Sequence, residues 1–305
     1  MNLSLVQEAE AGLKSTPPFI SPKFFYDAIG SRLFEAITLL EEYYPTRIEK
    51  SIMQAHAKDI ASAVGSCDVL LDLGAGNCAK ASALFDSLKP KQYLGLDIST
   101  DFLALAVTDL QKRFPQIQME ARTCDLSQAL DFPDLVGRKK TFFYPGSSIG
   151  NFDPKQASIF CKNISALCDG AGGLLIGVDL VKESTILDRA YNDALGITAA
   201  FNLNALLHIN HLLGSNFVLS DWEHYAIFNQ SQSRIEMYLR AVRDIEIVWP
   251  TGELALKAGQ MIHTENSYKY TKASFTNMLL DAGFKKTTSW MDDKGYFLVC
   301  YASAT

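Results

Sequence analysis

Between residues 67 and 181, short apolar runs and amphipathic stretches take turns, and that alternation constrains the fold more than any other feature of the chain. "CDVLLDLGAG" (67–76) has the pattern of a buried strand running into a glycine turn, and "AKASALFDSL" follows it as a helix. "QYLGLDIS" (92–99) reads as a second strand ending in an acid, with "DFLALAVTDLQKRF" as its helix. "IQMEARTCDL" (117–126) reads as a third strand ending in Asp125, and "KTFFYPGSSIGNF" (140–152) as a fourth strand and loop. "DPKQASIFCKNISALC" is a helix with Asp153 or Pro154 at its start, and "GGLLIGVDLV" (172–181) is a fifth strand. Strand and helix alternating at this spacing predict an α/β fold built on a parallel, doubly wound sheet.

The flanks break that rhythm. Near the start, Leu33, Phe34, Ile37 and Leu40 recur at helical spacing after a break at "STPPFISP". Pro45 is expected to end that helix, and a second helix is expected over 46–64. Residues 184–215 look helical, and 217–249 alternate as strands. A helix over 272–283 and a last strand, "GYFLVCYA", close the chain. These patterns predict a Rossmann-like domain from 48–181 and 270–305, and a second, mixed α+β domain from 1–47 and 182–269.

Composition narrows the function. A chain of 305 residues has room for two domains and a sizeable core. The net charge is −6 and there is no basic block, so nothing favours nucleic acid or an anionic membrane, and a small-molecule partner is expected. Six cysteines, none in a CxxC pair, argue for the reducing cytoplasm. The N-terminal "MNLSLVQEAEAGLKSTPP" does not read as a signal peptide, and no apolar stretch is long enough to span a membrane. Nothing demands a dimer, so a monomer is expected.

Three stretches carry chemistry. The first is "LDLGAGNCAK", where Gly74 and Gly76 let the backbone approach a ligand. Ala79 stands where a dinucleotide loop has its third glycine, and alanine is a permitted variant there, so a nicotinamide cofactor stays open. Asp72 within the first strand, Asp97 at the end of the second and Asp125 at the end of the third tilt the reading. An acid at Asp97 can hold both ribose hydroxyls and one at Asp125 an adenine amino group, which suits S-adenosylmethionine; each acid alone also fits a helix cap or a turn. Lys80 is either a contact to a ligand carboxylate or a solvated helix residue.

The second stretch is "YPGSSIGNF", at the carboxyl edge of the sheet, where Asn151 can both donate and accept. A turn asparagine beside Gly150 is the plainer alternative. The third is "HTENSYKY" (263–270). In a strand or extended loop, Glu265 and Ser267 point to the same side, so a carboxylate and a hydroxyl face one cavity. Tyr26, Tyr43, Tyr44 and Tyr191 lie outside the sheet domain, and each taken singly reads as packing. Met237 reads as core. His208 and His211 are three apart, a spacing some metals use, but no third ligand is evident and no metal is expected.

Taken together, "FFYDAIGSRLFEAIT", "EEYYPTR", "GSSIGNF", "LLIGVDLVK", "AYNDALGITAAFNLN", "RIEMYL" and "GELALKAGQMIHTENSYKY" resemble the histidine-specific N-alpha-methyltransferases of ergothioneine biosynthesis. The resemblance runs from about 20 to 272. It implies a class I methyltransferase domain, a substrate-binding domain split as above, S-adenosylmethionine as methyl donor, and L-histidine as substrate. By resemblance, Glu265 and Ser267 hold the imidazole, Asn151 and Tyr191 the carboxylate, Tyr26 lies near the amine and Tyr43 near the imidazole, and Met237 lines the substrate pocket. The cofactor side falls on Gly74, Gly76, Lys80, Asp97, Asp125 and Leu126. Two departures touch that side: "GAGNCAK" replaces the usual Gly-Ser-Gly followed by Thr or Ser, and Leu126 stands where an aromatic is common.

The resemblance further implies three successive methyl transfers giving the trimethyl betaine, hercynine. A tyrosine phenol titrates near ~10 and makes a poor base, so Tyr26 is expected to orient the amine while the proton leaves through water. Other readings stand beside this one. They are the same fold acting on another amino acid such as a tryptophan derivative, a mono- or dimethylating histidine enzyme, a non-catalytic S-adenosylmethionine sensor, and a nicotinamide dehydrogenase.

Overall fold

Four of the five apolar runs become strands buried on both sides, the third becomes a half-exposed edge strand, and the amphipathic stretches become the helices that cover them. The computed structural model describes residues 3–126 and 128–305. Residues 1, 2 and 127, which fall within segments assigned above to the second domain and the sheet domain, lie outside them. In chain order the helices are α1 (Leu3–Leu13), α2 (Ala28–Ile37), α3 (Tyr44–Ala55), α4 (Ala57–Val64), α5 (Ala79–Ser82), α6 (Phe85–Leu88), α7 (Thr100–Arg113), α8 (Pro154–Leu167), α9 (Ser184–Tyr191), α10 (Ile197–Leu213) and α11 (Lys272–Asp281). The strands are β1 (Val69–Leu73), β2 (Gln92–Asp97), β3 (Gln118–Thr123), β4 (Lys140–Tyr144), β5 (Gly172–Asp179), β6 (Trp222–Asn229), β7 (Arg234–Ala241), β8 (Ile245–Trp249), β9 (Gly252–Leu256), β10 (Met261–Tyr268), β11 (Lys286–Met291) and β12 (Phe297–Ser303). They form two compact units. One runs up to Tyr44 and includes Lys182–Ser267; the other is Pro45–Val181 with Tyr268–Thr305.

The second unit is an α/β domain around a seven-stranded sheet of order β11-β12-β5-β4-β1-β2-β3. Successive residues of β1 face opposite layers. Val69, Leu71 and Leu73 pack with Phe160, Cys161 and Ile164 of α8 and with Phe275 and Leu279 of α11. Leu70 packs with Ile60 and Val64 of α4 and with Leu103, Val107 and Leu110 of α7. Helices cover both faces, so the strands need no polar side. The order reverses between β1 and β4, both parallel to each other, which makes their carboxyl ends the crevice where such sheets bind ligands.

The sheet is mixed, whereas the alternation predicted a parallel one. β12 runs antiparallel to both β5 and β11. A connection as short as 292–296 can join only antiparallel neighbours; a parallel pair needs a long crossover. The third strand stops at Thr123, short of Asp125, because β3 pairs only with β2 and that ladder ends at Asp97. The helix after β1 is two short pieces, α5 and α6. Pro45 opens α3 and does not end α2, which already stops at Ile37; the first helical turn tolerates proline because its N–H has no partner to lose. The helix expected over 46–64 is interrupted at His56, between α3 and α4. Asp153 and Gln156 form a capping box at the start of α8, with Pro154 in the first turn.

The first unit holds a three-stranded sheet of order β10-β7-β6 and the separate β8–β9 hairpin. In β7 the residues Ile235, Met237, Leu239 and Ala241 are all buried and share one face. The N-terminal segment joins this sheet: Ile20 N–H donates to His263 O at 2.8 Å, and His263 N–H to Pro18 O at 3.1 Å. Residues 184–215 are two helices separated at 192–196, and Asp193 braces the start of the second. Its carboxylate accepts from Ile197 N–H and Thr198 N–H, each at 2.8 Å.

Candidate functional site

Glu265 and Ser267 lie on β10, one residue apart on the same side, 8% and 4% exposed. The Tyr191 hydroxyl, at the end of α9, donates to Ser267 Oγ at 2.9 Å. From Tyr191 a row of aromatic rings runs outward. Tyr43 meets Tyr191 edge to face at 6.3 Å, Phe34 meets Tyr43 at 6.3 Å, and Tyr26 meets Phe34 at 5.7 Å. Edge-to-face contacts of this kind fix ring planes as well as fill space.

Tyr26 is placed by its neighbours in "FFYDAIG". The Asp27 carboxylate caps α2 by accepting from Gly30 N–H at 2.7 Å, and also accepts from Asn204 Nδ2 of α10 at 2.8 Å. A Cβ at Gly30 would stand 1.7 Å from Phe25 O, so only glycine lets the helix start this close to the preceding turn. Tyr26, Tyr43, Tyr191, Met237, Glu265 and Ser267 therefore all belong to the first unit. Met237 stands in the apolar row of β7. Tyr44 is buried and receives a hydrogen bond from Lys182 Nζ at 2.7 Å. His208 Nδ1–H donates to Phe24 O at 2.8 Å, a structural use of that ring. Among the described residues no three His, Cys, Asp or Glu gather as a metal site.

The remaining candidates belong to the sheet unit. Gly74 and Gly76 adopt φ of +73° and +51°, and a Cβ at Gly76 would meet nothing within 4 Å, so the loop presents an open backbone. Asp97 holds that loop: its carboxylate accepts from Gly76 N–H and from Ser99 N–H, each at 2.9 Å. Those bonds leave acceptor capacity on both oxygens. Asp125 and Leu126 follow the end of β3, and the Leu126 side chain lies 3.9 Å from where a Gly74 Cβ would stand. Asn151 ends the 3-10 turn Ser148–Asn151 after β4.

Asp72 is not at a strand end but inside β1, fully enclosed, accepting from the Tyr93 hydroxyl at 2.8 Å. Burial, opposed by that hydrogen bond and aided by nearby Asp97, pushes its carboxyl up to about 7. Burial likewise pushes the Cys78 thiol up to about 12, so this cysteine beside the loop is a packing residue and not a nucleophile.

Lys80 is neither simply solvated nor simply aimed at a ligand. Its Nζ pairs with Glu49 Oε2 at 2.7 Å, and Glu49 is 1% exposed. The other oxygen of Glu49 accepts from Gly146 N–H at 2.7 Å. One buried carboxylate from α3 thus links the loop after β1 to the loop after β4, across the point where the strand order reverses. Glu49 was not singled out from the sequence; it stands two residues past "EEYYPTR" and carries no signal of its own. Lys269, of "HTENSYKY", was also passed over. It pairs with Asp179 at the end of β5 at 3.1 Å, both side chains 1% exposed.

The open glycine turn, the acid that holds it and the reversal of strand order are features of a doubly wound sheet that binds a nucleotide-bearing ligand at its carboxyl edge. Comparison with known proteins decides the family, because a model for histidine-specific, SAM-dependent methyltransferases matches residues 5–304. The chain belongs to that family. It is 36% identical to the histidine N-alpha-methyltransferase of Mycolicibacterium smegmatis over 96% of this chain and 93% of that one. It is 34% identical to the enzyme of that name from Mycobacterium tuberculosis, over 97% and 94%. It also matches ergothioneine biosynthesis protein 1 of Neurospora crassa, at 31% identity over 93% of this chain and 33% of that longer one. The chain is thus a SAM-dependent enzyme of the α/β class I methyltransferase fold, as the resemblance implied. No helix among the described residues is long and apolar enough to cross a membrane.

Proposed function

We propose that this enzyme transfers methyl groups from S-adenosylmethionine to the α-amine of L-histidine, three in succession, to give hercynine for ergothioneine biosynthesis. The observation that carries the substrate assignment is the buried pair Glu265 and Ser267 on one side of β10, with the Tyr191 hydroxyl bonded to Ser267. An imidazole offers an N–H to a carboxylate and a second nitrogen to a hydroxyl, and this pair supplies both. A charge-assisted hydrogen bond to a buried carboxylate is strong and selective, and an amino acid without that N–H would leave the carboxylate unsatisfied. An indole could offer its own N–H to the carboxylate, but it has no second nitrogen for the Ser267 hydroxyl, and its bulk suits a smaller, apolar wall better than one built from Glu265 and Met237.

The donor set fits the cofactor. The open Gly76 turn leaves room for a ligand against the backbone, Asp97 would offer its remaining acceptor capacity to a ribose, and Asp125 and Leu126 would hold the adenine. Lys80, steadied by Glu49, would reach the carboxylate at the cofactor's amino-acid end. When bound, the sulfonium supplies an activated methyl group, so the hard chemistry belongs to the cofactor. The protein's task is alignment of the amine, worth roughly 7–11 kcal/mol when complete. Tyr26 orients the amine, Asn151 holds the carboxylate together with the Tyr191 hydroxyl once it turns from Ser267 Oγ to the substrate, Tyr43 and Met237 wall the imidazole side, and water takes the proton. Six free cysteines, five of them buried, suit the reducing cytoplasm.

Mass spectrometry after incubation with S-adenosylmethionine and each of the twenty amino acids tests this. Three methyl groups on histidine alone is the expected result. One or two on histidine would keep the site and change the product, and methylation of a different amino acid would overturn the substrate assignment.

A further inference from the structure

We propose that His224 is a positioning residue for substrate recognition: fixed in one tautomer by Asn202, it donates to the Tyr191 carbonyl and so sets the tyrosine that bonds Ser267. This inference rests on the substrate-binding reading of Tyr191 and Ser267.

The hydrogen bonds leave one arrangement of protons. A carbonyl oxygen only accepts, so the 2.9 Å contact between His224 Nε2 and Tyr191 O requires the proton on Nε2. Asn202 Nδ2 donates to Tyr238 O at 2.9 Å, which fixes the orientation of that amide. The other Nδ2 hydrogen then points at His224 Nδ1, 2.9 Å away, which must accept with its lone pair. The ring is therefore neutral, with its hydrogen on the Tyr191 side. Burial, which depresses its pKa, acts in the same direction.

The target of that hydrogen matters. Tyr191 is the last residue of α9, where backbone carbonyls have run out of helical partners. His224 satisfies one of them from β6. Two further bonds fasten the same turn to the same strand. Asn192 Nδ2 donates to Ala226 O at 3.1 Å, and Phe228 N–H donates to the Asp188 carboxylate at 2.7 Å. The free edge of β6 is thus covered by the end of α9, at residues 224, 226 and 228. Of the three contacts, only the one from His224 reaches the residue whose side chain enters the proposed histidine site. A purely structural brace would be served by the other two.

Two substitutions separate the roles. His224→Gln places an amide N–H where Nε2 stood and keeps the bond to Tyr191. His224→Asn places its oxygen where Nδ1 stood, keeps Asn202 and loses Tyr191. His224→Asn is expected to raise the KM for histidine about tenfold, the worth of one well-made hydrogen bond, with S-adenosylhomocysteine affinity unchanged. His224→Gln is expected to return KM to within about threefold of the parent. In a Tyr191→Phe background the effect of His224→Asn should shrink, since the hydroxyl it positions is gone. Equal KM values for both variants, an undiminished effect in the Tyr191→Phe background, or a fall in melting temperature with no change in KM would each overturn the inference. Failure of the parent enzyme to methylate histidine at all would instead overturn the functional reading on which it stands.

Discussion

Asp97 and Tyr191 hold their places in opposite ways. Asp97 takes backbone N–H groups from Gly76 in the turn after β1 and from Ser99 in the turn after β2. Tyr191 is held by side chains, His224 at 33 residues' distance along the chain and Ser267 at 76. The first arrangement is a property of a glycine turn beside a parallel strand and recurs wherever that turn does. The second exists only because α9, β6 and β10 are packed together. On the proposed roles, cofactor binding rests on backbone donors, and substrate choice on a relay of side chains.

The largest expected effect is that of Glu265→Ala. It should lower kcat/KM for histidine by roughly 10⁴ and leave S-adenosylhomocysteine affinity, read by calorimetry, where it was. Equal losses on both sides would show that the two regions do not divide the labour. The converse is Asp97→Ala, expected to weaken cofactor binding about 100-fold through loss of charge-assisted hydrogen bonds with a smaller change in the histidine KM at saturating cofactor.

A finer test concerns Glu49. Glu49→Gln keeps an acceptor for Gly146 N–H and removes the charge that steadies Lys80. Cofactor affinity should fall about tenfold, and the fall should vanish when Lys80 is already methionine. Persistence of the fall would mean that Glu49 acts only through the loop after β4.

Asp72 gives a pH-dependent outcome. Its folded-state pKa of about 7 lies above the ordinary 3.8, so the fold favours the protonated form. That contribution is complete below pH ~4 and is lost as pH rises through ~7. Asp72→Asn, which keeps an acceptor for Tyr93, should therefore be more stable than the parent at pH 8–9 by about 4 kcal/mol. The gap in melting temperature should close as pH falls toward 4, and a gap independent of pH would contradict the assignment. The smallest expected effect is that of a chelator. Turnover should be unchanged, and a loss would revive a metal role for His208 and His211.

Much of the sheet domain was legible because its signals are local. Alternation marked β1 to β5, the glycines marked the turn, and Asp153 and Pro154 marked the start of α8. The pair Glu265 and Ser267 was legible for the same reason: a strand puts alternate residues on one side. β11 was missed because "KTTSWM" is an edge strand without strong periodicity, half-buried over most of its length. β9 was missed because "GELAL" alternates for only five residues. Pro45 was misread because proline ends one helix and begins another equally well, and only the neighbouring turns decide.

Sequence by itself determined the fold class, the glycine turn with Asp97, the strand-borne pair on β10 and, through the density of matching stretches, the family. Each of those rests on residues close together in the chain or on a pattern repeated along it. Tertiary structure alone decided the antiparallel placement of β12, the burial of Asp72, the span of Glu49 from Lys80 to Gly146, and the relay Asn202–His224–Tyr191–Ser267. These depend on which side chains meet after the chain has packed. A carboxylate or an imidazole acquires its role from partners that no local pattern names.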